Sequence, residues 1–186
     1  TTYLFSVRNN GTPAFSIAAN GNVHATGSYY GVSANLGTPG APGDLAERVD
    51  IAIDDVVEAG DVVVVDPNST DTYRRSNSPY SQEVSGVIST NPTIVVGNGR
   101  TDHTAVMAMV GRVPIKVSDE NGPIVRGDLL ITASSTGHAM RYDPTKDVGG
   151  KFAGIVGVAL ESLPAGKGKI MGLVRTGWVN GQDQQI

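Results

Sequence analysis

The sequence predicts an all-β protein in two parts: a short β-stalk segment, then a compact β-barrel or sandwich domain. Three observations carry that prediction. The chain has 24 glycines in 186 residues and is rich in Val, Ser, Thr and Asn but poor in Leu, Glu and Lys, a texture that favours strands and tight turns over helices. Its apolar runs are short and β-branched, each bounded by Gly, Pro, Asn, Asp or Ser. Asn-Gly steps recur between those runs, where Asn tolerates positive φ and Gly has no Cβ to clash.

Thr1 to Leu36 reads as three short strands. "YLFSV" is followed by Asn9-Asn10-Gly11, "PAFSI" by Asn20-Gly21-Asn22, and then comes "VHATG". The apolar positions are Leu4, Phe5, Val7, Phe15, Ile17 and Val23. That set is too small to offset ordering some 35 residues at roughly 1–2 kcal/mol each. Copies of the same chain supply the missing core most economically, with Phe5, Phe15 and Ile17 as the expected contacts.

Residues 37–43 form a Gly/Pro linker, and residues 44–186 a C-terminal β domain. The run "LAERVDIAIDDVVEAG" fits a helical turn or, by the spacing of Val49, Ile51 and Ile53, a strand. Beyond it, "DVVVVD", "SGVIS", "AVMAMVGRVPIKV", "GDLLITAS", "FAGIVGVAL" and "IMGLVRTGWV" read as strands. Asn121-Gly122 in "VSDENGPIV" predicts a hairpin turn. Two stretches share an order of features. Gly60-Asp61 opens one apolar strand, followed by "YRRSNS", "SGVIS" and "MVGRVPIKV"; Gly127-Asp128 opens another, followed by "HAMRYD", "IVGVALESLP" and "GLVRTGWV". The spacing of roughly 65–70 residues implies a barrel or sandwich built from two related halves.

The net charge of −4 is spread along the chain with no basic stripe, so nucleic acid is not an expected partner. No apolar run reaches the ~20 residues of a membrane helix, and no signal-peptide pattern opens the chain. Cysteine is absent, which removes disulfides and thiolate metal sites. His24, His103 and His138 are too scattered for a zinc site, and "DPNSTD" and "SDENG" lack calcium-loop spacing. No metal or cofactor is expected. "RGD" at Arg126 to Asp128 runs straight into "LLIT" and reads as a strand entry. Nucleophile elbows and phosphate loops are missing, so no activity on an external substrate is expected.

Two features remain. "DPNSTDTYRRSNSPYSQ" (Asp66 to Gln82) reads as a long polar loop whose Tyr73, Arg74, Arg75 and Tyr80 suit adaptable recognition of a host glycan or receptor. At the domain junction, Asp44 and Glu47 stand three residues apart behind a Gly-Pro approach. Two such carboxylates can share a proton in acid-base hydrolysis; the same pattern matches a capping box at a helix start.

"GDLAER", then "VSGVISTNPTIVVGNG", then "MVGRVPIKV" and a Gly-Asp-led strand resemble the C-terminal intramolecular chaperone, or peptidase G2, domain of phage neck-appendage and tail-spike proteins. The likeness covers about Asp44 to Val174. It implies a homotrimer whose C-terminal domain nucleates assembly of a preceding β-stalk, in a virion tail fibre or appendage. It also implies self-cleavage at Gly43-Asp44, with Glu47 and Asp44 as catalytic groups. Two positions depart from the family pattern: Gly43 stands where Ser is common, and Leu45 replaces Tyr. A bacterial cell-surface adhesin of the same architecture is the alternative setting.

Overall fold

The computed structural model describes residues 2–26, 41–146 and 153–179, and the chain divides into two units, Thr1–Asn35 and Leu36–Ile186. Most of the predicted linker, residues 37–40, lies outside the described residues. The described structure is all-β, with one 3-10 turn at Pro144–Lys146.

The first unit is an antiparallel sheet of β1 (Tyr3–Asn9), β2 (Thr12–Ala18) and β3 (Val23–Ala25), in that order. Asn10 and Gly11 join β1 to β2 with φ of 48° and 81°, the left-handed pair that a two-residue hairpin demands. The register sets Phe5 opposite Ile17 and Ile17 opposite Val23; Val7 faces Phe15, and Phe15 faces Ala25. Directly paired residues share a face, so six apolar side chains line one side of this sheet. Ser16 and Ala18 are its buried described residues.

The second unit contains β4 (Asp44–Ile51), β5 (Val62–Val65), β6 (Thr72–Arg75), β7 (Val84–Ile88), β8 (Ile94–Val96), β9 (Thr104–Ser118), β10 (Leu129–Thr132), β11 (Ala139–Arg141), β12 (Ala153–Ala159) and β13 (Lys167–Val179). Their pairing closes twice. β9-β7-β5-β6-β4 returns to β9, and β9-β13-β12-β10-β11 also returns to β9. Closure removes the unpaired edges that an open sheet would expose. β9 serves both rings: β4 pairs along its first half, from Thr104 to Gly111, and β13 along its second, from Val110 to Ser118.

The two rings repeat one plan. In the first, β4 runs parallel to β6 and antiparallel to β9; in the second, β9 runs parallel to β11 and antiparallel to β13. The register shift of β7 against Val63 and Val64 of β5 recurs in β12 against Leu130 and Ile131 of β10. Each Gly-Asp step turns into its strand alike. Gly60 and Gly127 have φ of 89° and 100°. Asp61 accepts a hydrogen bond from the N–H of Glu58 at 2.8 Å, as Asp128 does from Val125 at 2.9 Å. The cores correspond as well: Val49, Ile51, Val63, Tyr73 and Ile88 cluster in the first ring, and Ile115, Val117, Leu130, Ala139 and Ala159 in the second. Val62, Val87 and Ala108 of the first ring join the second cluster, so the rings share a continuous core.

Three sequence expectations are corrected. Asp44 to Glu47 lies inside β4 and starts no helix, because ladder bonds to β9 and β8 win over local capping. Gly122 is a turn with φ of 90°, but the strands flanking it, β9 and β10, do not pair. Asp66 to Gln82 is not one loop, since β6 (Thr72–Arg75) runs through it as an element of the first ring.

Candidate functional site

The Gly43-Asp44 peptide lies where the chain enters β4. The Gly43 carbonyl accepts a hydrogen bond from the Arg112 N–H at 3.0 Å, and the Asp44 carbonyl one from the Thr93 N–H at 3.0 Å. Gly111, paired with Asp44, has φ of 127°. A Cβ on Gly111 would stand 2.5 Å from both the Gly43 oxygen and the Asp44 Cα. This glycine permits the close approach, and it sits where β9 passes from β4 to β13.

The Asp44 side chain is 5 % exposed and lines a cleft of about 210 Å³ with Pro42, Ser89, Asn91 and Arg112. Burial pushes its carboxyl above the usual aspartate range, against the lowering effect of a hydrogen bond with Ser89. Its Oδ2 atom is buried and unpartnered. A neutral carboxylic acid relieves such a desolvated oxygen.

Glu47 does not join this group. Alternation along β4 sends residues 44 and 47 to opposite faces. The Glu47 side chain packs toward Gly97, where a Cβ would come within 3.2 Å of its Cγ, and lines a separate cleft with Asp71, Tyr73 and Arg100. The proton-sharing pair expected from the spacing is therefore divided between two sites.

The four expected recognition residues are drawn into the protein's own bonding. Arg75 binds Asp55 through its side chain at 2.6 Å and its backbone N–H at 2.7 Å. Arg74 reaches Asp54 and Asp66 at 3.3 and 3.5 Å. Tyr73 packs against the first-ring core. The Tyr80 hydroxyl donates to the Asp143 carbonyl and accepts from Asn121, both at 2.9 Å. Phe5 and Phe15 meet edge-on with ring centroids 6.2 Å apart, and Ile17 shares their face.

Sequence reading missed Ser89, Gly111 and Arg112 at the junction. The signal for Gly111 was present, since a glycine inside the β-branched run "MVGRVPIKV" marks a bulge or close backbone approach. Among the described residues, no group of three or more His, Asp or Glu is placed to hold a metal, and no helix is long and apolar enough to cross a membrane.

No protein-family profile and no curated protein matches the chain. Among solved structures, the fold is similar to that of the pre-mature bacteriophage phi29 gene product 12, with a TM-score of 0.53 at 14 % sequence identity. The match covers 88 % of this chain and 25 % of that one, so the chain spans about a quarter of that protein's length.

Proposed function

We propose that this chain is a structural part of a phage appendage: the end of a homotrimeric β-stalk followed by the domain that assembles it. One observation carries the reading. The apolar face of the first unit is left open within the chain, with Phe5 52 %, Val7 50 % and Val23 60 % exposed. A three-stranded sheet of this size needs a covered face to be stable, and symmetric copies provide one. The fold shared with a bacteriophage protein and the motif order of phage appendage chaperones favour the virion as its setting. The second unit, with its shared core, acts as the folding nucleus that brings the stalks into register.

The Gly43-Asp44 peptide is read as a permanent joint. It is held by hydrogen bonds to Arg112 and Thr93, and no second Asp or Glu lines the cleft at Asp44. Host recognition through Tyr73, Arg74, Arg75 and Tyr80 is not taken up, because Arg74, Arg75 and Tyr80 bond internally and Tyr73 packs against the first-ring core.

Native mass spectrometry of the full chain tests the assembly, with Phe5→Asp/Phe15→Asp as the companion variant. The expected result is a trimer of intact chains for the wild type and loss of trimer for the variant. A wild-type monomer, or a variant that assembles as tightly, overturns the stalk reading. Fragments ending at Gly43 and starting at Asp44 overturn the joint.

A further inference from the structure

We propose that the cleft at Asp44 is a binding site for a neutral, hydroxyl-rich ligand the size of one sugar unit. All of its lining residues belong to the second unit. Asp44 is 5 % exposed, and its Oδ2 atom is, among the described residues, the one carboxyl oxygen buried without a partner. Other buried aspartates have both oxygens bonded. Arg100 and Thr101 hold Asp50, Arg75 holds Asp55 through its backbone and side chain, and Lys116 and the Glu58 N–H hold Asp61. Folded proteins leave few such atoms unpaired, because each has given up its bond to water.

The internal repeat shows that the barrel plan does not need this carboxyl. Asp50 lies opposite Thr72 in the first ring, and Val117 opposite Ala139 in the second. The same offset relates Gly60-Asp61 to Gly127-Asp128, and it places Gly111 where Asp44 stands. The second ring therefore carries glycine at the position of a buried acid. A group that is costly to bury and dispensable for the architecture is what a functional site leaves behind.

The lining selects the ligand. Ile88, Val113 and Pro114 form an apolar wall, and Ser89, Asn91 and Arg112 stand with Asp44 as the polar groups, the mixture that small-molecule sites use. Ser89 hydrogen-bonds the Asp44 carboxyl and so orients it. Hydroxyl and carboxamide groups donate and accept at once, as the hydroxyls of a sugar do. A ligand hydroxyl that donates to Oδ2 supplies the missing bond. The positive charge of Arg112 disfavours a cation, and the buried Asp44 carboxyl disfavours an anion. At about 210 Å³ the cleft is smaller than the roughly 300–1,000 Å³ pockets of drug-sized ligands. One ring fits, and a longer chain does not.

Saturation-transfer NMR of the full-length wild type tests the site, with methyl glucoside, N-acetylglucosamine and glycerol as probes. Inorganic phosphate and ethanolamine serve as charged competitors, and Trp178 emission as the folding control for variants. The expected result is saturable binding of at least one probe with Kd near 1 mM, on the order of the weakest specific affinities. Neither competitor should displace it. Asp44→Ala should bind at least about tenfold more weakly, and Asn91→Ala, at an exposed position of the lining, about threefold more weakly. No saturable binding of any probe by about 10 mM, displacement by phosphate or ethanolamine, or a folded Asp44→Ala variant that binds undiminished overturns the assignment. If Asp44→Ala fails to fold, Asn91→Ala decides, and undiminished binding there overturns it.

Discussion

Gly111 concentrates the constraints on the junction in one position. Its φ of 127° and the 2.5 Å approach of its missing Cβ to Gly43 and Asp44 leave no room for alanine. Gly111→Ala is expected to lose about 2–4 kcal/mol of stability, read from urea midpoints. Asp44 acts with the opposite sign. Its native pKa is raised above the ordinary 3.8 by burial, so the native state binds the extra proton and stability falls as pH climbs from 3.8 to the raised value. Asp44→Asn should match the wild type below that window and exceed it above. An Asn variant less stable at neutral pH would show that the ionised carboxylate has an unseen partner. Glu120 gives the contrasting case. Burial pushes its carboxyl up, but hydrogen bonds from Ser134 and Ser135 outweigh burial and hold it at about 2. The wild type should lead Glu120→Gln fully above pH 4.5 and lose that lead as pH falls toward 2.

At the level of elements, the twin Gly-Asp turns share backbone geometry but differ in surroundings. Asp61 is fully buried and pairs with Lys116 at 2.7 Å, while Lys116 also binds Glu58. Asp128 caps its turn near the surface. Asp61→Asn should therefore cost about 3 kcal/mol by leaving Lys116 poorly paired, and Asp128→Asn about 1 kcal/mol; equal losses in denaturant midpoints would contradict the difference. The repeat itself was legible because positive-φ glycines and β-branched runs are local signals. β6 was hidden, since "TYRR" is short and polar and becomes a strand through antiparallel pairing with neighbouring β5 and parallel pairing with distant β4. Asp44 and Glu47 misled for a related reason. Their spacing matches a capping box or a carboxylate pair, but a strand turns a separation of three into opposite faces, and only ladder partners far along the chain decide that it is a strand.

For the whole molecule, the account rests on an asymmetry between the units. The second unit has a continuous core running through both rings; the first has an open apolar face, with Phe5, Val7 and Val23 at least half exposed. Removal of residues 1–36 should leave a folded second unit that associates more weakly. Removal of everything after Gly43 should leave the stalk segment without cooperative unfolding in circular dichroism. Either truncation behaving in the reverse way would detach folding from the second unit. Sedimentation velocity of the intact full-length chain at micromolar concentration addresses self-assembly most directly. The account predicts a single species of three chain masses, whereas a well-folded monomer at that concentration would contradict it.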